Sequence, residues 1–398
     1  MPGLHAVLSP SSASRWLTCP PSARLEEKLK GIFGDKSSKF AEEGTLGHAL
    51  AELKLRKANG ELNDFNYGEQ RKVLEDKVKA QDFNIRELDK ITDIYVDVVL
   101  EKLFSARKSC PDAKLFIEQR LDMSPWVPEC FGTGDAIIVS DQTLEVCDLK
   151  TGAGVPVSAV GNPQARLYGL GAIQSFGSLF AFTDVRNTII QPRLDSVTEE
   201  TMSKDELLAW GEEIRPGAET AWRGEGEYAT GSHCQFCAAR AICAKRASEA
   251  LSVVKYGFDT PDVISDDDIP GILAVLDVAE AWIKDIKAYA MNQALNGKQF
   301  RGWKLVRGRR GRRTFTDPEQ VKDILARAGY TQEQYIRTEL KGITDIEKAI
   351  GKQAFTALIE TKGRVVQPQG SLVLAPEDDK RPEYSAADAD FGDIAEAT

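Results

Sequence analysis

The hydrophobic periodicity of this chain changes near residue 110, and that change limits the folds open to it. Upstream segments repeat their apolar residues near the 3.6-residue period of an amphipathic helix, whereas the next segments are short, β-rich and separated by turn-like residues. The predicted elements are helices at 42–58 and 84–109, strands at 114–121, 131–140 and 143–150, a helix opened by Asn162 and Pro163, and a strand at 187–194. This order predicts a mixed α/β core in which helices pack against one sheet.

Composition narrows the class of protein. The chain has 398 residues, of which 42% are apolar and 28% are charged, values typical of a folded protein with more than one domain. No apolar run approaches the roughly 20 residues that span a bilayer, and the N-terminus lacks signal-peptide features, so the sequence predicts a cytoplasmic protein without a membrane partner. The net charge of -10 argues against a general polyanion binder, although a local basic patch is compatible with it.

The strand TLEVCDLK ends in an acid, one apolar residue and a base. Asp135, thirteen positions before Asp148, can lie beside it at one end of a tight hairpin. Neighbouring carboxylates repel unless a cation lies between them, and Mg²⁺ and Mn²⁺ prefer carboxylate and carbonyl oxygens. Lys150 shares a strand face with Asp148, where its ammonium could stabilise a phosphate under attack, and Leu149 could offer its carbonyl. By itself, an Asp-x-Lys triplet at a strand end is more often a pair of solvated charges.

Four short motifs in a fixed order strengthen the catalytic interpretation. With the predicted element order, they resemble the PD-(D/E)XK nuclease superfamily, specifically its RecB-like branch, over residues 9–245. The motifs are GxxxH at Gly44 to His48, GxxD at Gly132 to Asp135, D-x-K at Asp148 to Lys150 and QxxxY at Gln164 to Tyr168. The resemblance implies a restriction-endonuclease-like α/β core, a mixed central sheet flanked by helices, with helical additions and a small C-terminal α+β region.

The same resemblance implies a role for each motif. Lys150 would be catalytic, and Gln164 and Tyr168 would contact DNA near the scissile phosphate. The ligands of one or two Mg²⁺ or Mn²⁺ ions would be His48, Asp135, Asp148 and the carbonyl of Leu149.

Some residues near these motifs have simpler interpretations. Glu52 lies one helical turn from His48 and suits an acceptor for its ring N–H, but the two could be an ordinary polar pair. Glu118 on the first strand is expected to be structural or to lie just outside the ligands, and not to be catalytic. Tyr168 could simply pack on the sheet.

Three cysteines are clustered as C-x2-C-x5-C, and a fourth lies far upstream. Three thiolates need a fourth ligand to complete a tetrahedral site. In iron-sulfur members of the RecB-like branch, one cysteine before the core and three after it hold a 4Fe-4S cluster. The resemblance therefore implies that cluster here, with zinc as the alternative and His233 as a further ligand under zinc only. The four cysteines are Cys19, Cys234, Cys237 and Cys243.

The C-terminal third carries fewer signals. Seven of the thirteen residues at 301–313 are Lys or Arg, and Trp303 lies among them, a composition that suits DNA contact as well as a solvated hairpin. The arginines predicted to bind DNA are Arg309, Arg310, Arg312 and Arg313. The chain is thus predicted to contain a nuclease domain closed by the cluster at 1–250, a helical connector at 251–298, a basic α+β region at 299–375 and an acidic disordered tail at 376–398.

These observations together predict a metal-dependent DNA exonuclease that hydrolyses phosphodiester bonds at linear or single-stranded DNA ends. The whole chain is similar to a phage- and prophage-borne family of unknown function, which implies a role in phage recombination or replication in a bacterial host. A strand-annealing or single-strand-binding protein is an expected partner, and a homo-oligomer would suit processive digestion. The alternatives are a catalytically silent DNA-binding or scaffold protein with the same fold, and a structure-specific endonuclease.

Overall fold

Helices occupy both ends of the described chain, and the strands lie between them. The structure is a computed structural model that describes residues 6–33, 39–252, 269–304, 318–327 and 351–357, with the single residues 267, 331, 343, 345 and 348. The longer helices are α1 (Ala13–Thr18), α2 (Ser22–Phe33), α3 (Lys39–Ala58), α4 (Asp64–Ala80), α5 (Ile85–Ser109), α6 (Pro163–Phe176), α7 (Lys204–Arg223), α8 (Ala244–Ala250), α9 (Ile269–Leu295) and α10 (Pro318–Arg327). Shorter turns of helix cover Pro10–Ser12, Pro192–Leu194, Ser232–Phe236 and Lys352–Phe355.

The strands form one mixed sheet in the order in which they follow one another along the chain. They are β1 (Lys114–Asp122), β2 (Phe131–Val139), β3 (Thr143–Leu149), β4 (Asp184–Gln191) and β5 (Ser196–Ser203). β3 and β4 are parallel, whereas the other neighbours are antiparallel. A parallel pair needs a crossover, and α6 provides it between β3 and β4.

The sheet separates two hydrophobic cores. On one face, Val146 and Ile137 pack with Leu170 of α6 and with residues of α1 and α7. On the other face, Cys147 and Leu149 pack with residues of α3 and α5. Because β3 is buried on both faces, its sequence is an almost continuous run of apolar residues. The prediction that Cys147 faces away from Asp148 is consistent with this division, since consecutive strand residues alternate.

Most predicted element boundaries agree with the structure, and the exceptions have local causes. Asn162 caps α6 by accepting hydrogen bonds from Gln164 N and Ala165 N, as its position before Pro163 predicts. The strand predicted at 187–194 was misplaced: it runs from Asp184 to Gln191, because Pro192 has no N–H and begins a 3₁₀ turn.

The helix α4 and the strand β5 were not predicted from the sequence. In α4 the only buried residue is Val78, so its apolar residues do not mark one face of a helix. In β5 no residue is fully buried, and its side chains are mainly polar or charged. An edge strand of this kind is defined by its pairing with β4, which the local sequence does not show.

By compactness the chain divides into two units, residues 1–306 and 307–398. The first unit contains the sheet, and the described part of the second contains α10 and the turn at Lys352–Phe355. The four predicted DNA-binding arginines at 309–313 and the acidic tail lie outside the described residues. Among the described helices, none combines the length and the apolar composition required to cross a membrane.

Candidate active site and cysteine pocket

The carboxylates of Asp135 and Asp148 come from adjacent strands. β2 and β3 pair as far as Ala136 and Cys147, and the next positions in that register are these two aspartates. The backbone ladder stops there, and Asp135 Oδ2 instead accepts a hydrogen bond from Leu149 N at 2.8 Å. The hairpin therefore brings both acids to the same end of the sheet.

Lys150 lies beside Asp148, as the two-residue spacing predicts. Its Nζ is 2.9 Å from Asp148 Oδ2 and donates a hydrogen bond to Gln164 Oε1 at 3.0 Å. Its backbone N–H donates to Ile190 O at 2.9 Å, so contact with β4 continues through the lysine. The ammonium is thus held between an acid of the sheet and an amide of α6.

His48 is contributed by α3. Its Nδ1 lies 3.2 Å from Asp135 Oδ1, so the two oxygens of Asp135 contact different elements. Glu52, one turn further along α3, accepts a hydrogen bond from Arg56 Nε at 2.8 Å. The acid in contact with His48 is therefore Asp135, and Glu52 is held by Arg56.

Burial and neighbouring charge change the ionisation of these groups. Asp148 is 7% exposed, and burial raises the pKa of its carboxyl against the opposing effect of Lys150. Burial lowers the pKa of His48, but the Asp135 carboxylate outweighs this effect and the pKa rises to about 9. Burial and the charge of Asp135 raise the pKa of Glu118 to about 7. Perturbed groups in mutual contact are typical of functional sites.

Two observations test whether these residues fit a divalent cation. Donor atoms of His48, Glu118 and Asp135 all lie within 4.8 Å of one another. Asp148 Oδ2 is buried and has no hydrogen-bond partner of good geometry among the described residues, although the Lys150 ammonium is near. A buried carboxylate oxygen without a partner is costly, and a bound cation would remove that cost. The carboxylates and the imidazole are therefore a donor set that fits a divalent cation.

The two residues of the QxxxY motif have structural contacts within the site. Gln164 accepts the hydrogen bond from Lys150, and Tyr168 is half-buried. A Cβ at Gly132 would lie 2.8 Å from Tyr168 Cε1, so the glycine of the GxxD motif leaves room for the ring. Burial raises the pKa of the Tyr168 hydroxyl. Contact of either residue with DNA stays a prediction.

The residues that dock α3 onto the sheet were not found from the sequence. Arg193, in the turn after β4, donates to Thr151 O at 3.0 Å and to both carboxylate oxygens of Glu43 at 2.6 and 2.9 Å. Its Nη2 also lies 2.9 Å from Glu87 Oε1 of α5. Glu43 and Arg193 are 150 positions apart, so no local pattern could pair them. Glu43 directly precedes Gly44 of the GxxxH motif, but Arg193 is adjacent to none of the motifs.

The four predicted cysteines line one small pocket. Cys19 and Cys237 are buried, whereas Cys234 and Cys243 are partly exposed, and Arg15, His233 and Arg246 also line the pocket. Burial raises the pKa of the Cys237 thiol to about 11. Within the described residues, no three of these thiols lie within 4.8 Å of one another. The N-terminal helices therefore meet the cysteine-bearing segment that follows α7.

Hydrogen bonds also join the two segments that carry these cysteines. Arg15 Nη1 donates to Phe236 O at 3.1 Å, and Ala238 N donates to Glu26 Oε1 at 2.6 Å. Arg15 and Glu26 form an ion pair with each other. These contacts hold α1 and α2 close to the cysteine segment.

Residues 5–382 match the family described as Protein of unknown function (DUF2800). The chain belongs to this family. The match includes the site on β2 and β3 as well as all four cysteines of the pocket, so both features lie inside the region that defines a DUF2800 protein.

A solved structure described as "Crystal structure of SSO0001" is similar to this DUF2800 chain. The two share 16% identity over 58% of this chain and 96% of that chain, with a TM-score of 0.21. A TM-score this low does not establish a shared fold.

Proposed function

We propose that this DUF2800 protein is a divalent-metal-dependent DNA nuclease of the PD-(D/E)XK type, in its RecB-like branch, and that it acts as an exonuclease at DNA ends. The observation that carries the proposal is the meeting of Asp135, Asp148 and Lys150 at one end of the sheet with His48 beside them. The mixed five-stranded sheet flanked by helices supports the same family resemblance.

Each residue of the site would have a separate role in phosphodiester hydrolysis. A bound Mg²⁺ or Mn²⁺ would supply Lewis acidity toward the phosphate and hydroxide at neutral pH. Asp135, Asp148 and His48 would hold it, together with the carbonyl of Leu149. The Lys150 ammonium would stabilise negative charge on the phosphate, and Gln164 would keep the lysine in place.

We also propose that the cysteine pocket holds a 4Fe-4S cluster, with zinc as the alternative. Four thiols lining one pocket support a group bound by four thiolates. The preference for the cluster over zinc comes from the family resemblance, because one cysteine before the core and three after it match the iron-sulfur members of the RecB-like branch.

The biological setting follows from the same proposal. An exonuclease without other activities would suit phage or prophage recombination or replication in the bacterial cytoplasm, beside a strand-annealing or single-strand-binding protein. The basic residues at 309–313 would contact the DNA backbone.

Digestion of labelled linear and circular DNA with Mg²⁺ or Mn²⁺ tests the nuclease proposal. We expect the wild type to degrade linear DNA and leave circles intact, and Asp148→Ala and Lys150→Ala to lose at least about 100-fold in rate. Asp184→Asn, at the opposite end of the parallel strand pair, is the control and should digest like the wild type.

The other outcomes of this experiment identify the alternatives. Cleavage of circular or branched DNA would identify a structure-specific endonuclease. No cleavage with either metal would leave the catalytically silent DNA-binding or scaffold protein.

A further inference from the structure

Three acids lie in one row across three adjacent strands. In the register that joins β1 to β2, Ile117 pairs with Ala136 and Gln119 pairs with Gly134, so Glu118 lies opposite Asp135. In the register that joins β2 to β3, the position opposite Asp135 is Asp148. Neither of these two pairs is part of the backbone ladder, so the ladder is interrupted on both sides of Asp135.

The backbone of β1 is distorted at Glu118. Its φ is 51°, in the left-handed region that favours glycine, although it is a glutamate inside a strand. The side chains of β1 also change sides of the sheet at this residue. Ile117 packs with the α5 core, whereas Leu121, an even number of positions further on, packs with the α6 core. In a regular strand these two side chains would share a face, so Glu118 is where the strand turns over.

The Glu118 carboxylate lies among the other donors without a partner of its own. A carboxylate oxygen lies within 4.8 Å of donor atoms of both His48 and Asp135. Glu118 makes no side-chain hydrogen bond or ion pair with the described residues, and the residue is half-buried. Asp148, on the far side of Asp135 in this row, differs because its Oδ2 lies 2.9 Å from the Lys150 ammonium. Neighbouring carboxylates such as Glu118 and Asp135 repel one another unless a cation offsets their charge.

We propose that Glu118 is a direct ligand of a divalent cation, together with His48 and the Oδ1 side of Asp135. This inference rests on the proposed function, since it extends the same site by a carboxylate that the motifs do not include. The left-handed backbone at Glu118 serves to direct its side chain toward His48 and Asp135. The strained backbone at Glu118 is therefore retained because it positions a cation ligand.

Mn²⁺ binding by the full chain, measured by calorimetry and by electron paramagnetic resonance without DNA, tests this assignment. We expect Glu118→Gln to weaken Mn²⁺ binding at least about tenfold. Glu118→Gly should lose Mn²⁺ binding similarly, but it should melt at a higher temperature than Glu118→Gln in EDTA, because glycine adopts a positive φ without strain.

Glu129 provides a matched control. It is also a glutamate with a φ of 51°, but it is exposed in the connection between β1 and β2. Glu129→Gln should bind Mn²⁺ like the wild type. Glu129→Gly should melt at a higher temperature than Glu129→Gln, and its Mn²⁺ affinity should not change.

The outcomes separate this inference from the proposed nuclease. Wild-type Mn²⁺ affinity in Glu118→Gln and Glu118→Gly overturns the assignment of Glu118 and leaves the nuclease proposal standing. Mn²⁺ binding that depends on Glu118 in a protein that cleaves no DNA supports the ligand and contradicts the nuclease. A wild-type protein that binds no Mn²⁺ overturns the assignment.

Discussion

Among single residues, Thr151 shows how a side chain outside the motifs fixes the approach of α3 to the sheet. A Cβ at Gly47 would lie 2.8 Å from Thr151 Cγ2, whereas one at Gly44 would lie 3.5 Å from Thr151 Oγ1. The closer steric limit is therefore at Gly47 and not at the glycine of the GxxxH motif. His48, whose imidazole lies 3.2 Å from Asp135, follows Gly47 directly, so this contact is next to the site.

Gly47→Ala should destabilise the protein by about 1–3 kcal/mol, because the new methyl group overlaps the buried Thr151 side chain. Denaturant unfolding measures this change. Thr151→Ser lacks the γ-methyl group, so the double variant should recover most of the loss. Gly68→Ala in α4 is the control: a Cβ there meets nothing within 4 Å, and we expect a gain of about 0.5–1 kcal/mol. Equal effects of Gly47→Ala with threonine and with serine at 151 would contradict the steric explanation.

At the scale of secondary-structure elements, Arg193 joins three of them. Its guanidinium contacts Glu43 of α3, Glu87 of α5 and the carbonyl of Thr151 after β3. The hydrogen bond from Arg193 lowers the pKa of Glu43 below its ordinary value of 4.5. A carboxyl with a lowered folded-state pKa stabilises the protein above the unfolded-state pKa, and this contribution is lost as the pH falls through the folded-state value.

Arg193→Met should lower stability by roughly 1.5–3 kcal/mol at pH 7, since it leaves Glu43 and the Thr151 carbonyl without their donor. The difference between variant and wild type should begin to shrink as the pH falls below about 4.5, where Glu43 of the unfolded chain takes up a proton, and should be lost once the pH falls through the lowered folded-state pKa of Glu43. Denaturant unfolding curves of both proteins from pH 3 to pH 7 measure this difference in stability. The same variant should weaken Mn²⁺ binding, because α3 carries His48.

Arg71→Met is the matched control for that prediction. Arg71 also contacts a carboxylate through both terminal nitrogens, at 2.5 and 2.6 Å from Asp89, but it joins α4 to α5. We expect it to lower stability and to leave Mn²⁺ binding unchanged. Weakened Mn²⁺ binding in both variants would show a general loss of structure and no specific role of Arg193.

At the scale of the whole molecule, the cysteine pocket brings together segments that are more than two hundred residues apart, Cys19 in the N-terminal helices and Cys234 after α7. A group bound by all four thiolates would close this long loop around the sheet, and closing a loop restricts the unfolded chain. The bound group would therefore act on the stability of the entire first unit, and only indirectly on the site at Asp148.

Cys19→Ser and Cys243→Ser should each abolish the bound group and lower stability by roughly 3 kcal/mol or more, the order expected for a loop of this length. The measurements are iron and zinc content, visible absorbance of anaerobically purified protein, and thermal unfolding. Cys110→Ser, at a cysteine outside the pocket, should change none of them. Colourless wild-type protein with zinc and no iron would contradict the 4Fe-4S proposal, and protein without either metal would contradict both.

Local sequence patterns determined most of the elements and the positions of Asp135, Asp148 and Lys150. Strand alternation and the short hairpin connection fix which residues are neighbours across β2 and β3, and both can be read from adjacent letters. Helix periodicity and the Asn162 cap gave α3, α5 and α6 in the same way. These features depend on residues that lie close together in the chain.

Only the tertiary structure shows which other residues lie close to these three. Glu118 was expected to lie outside the ligands, and its approach to His48 depends on a left-handed residue that no propensity predicts. The contacts of Arg193 and of Thr151 with α3 join residues a hundred or more positions apart, and β5 exists as a strand through its pairing with β4. Such contacts are set by how packed elements meet, because the free energy that selects them comes from burial and long-range pairing, which no local stretch of sequence contains.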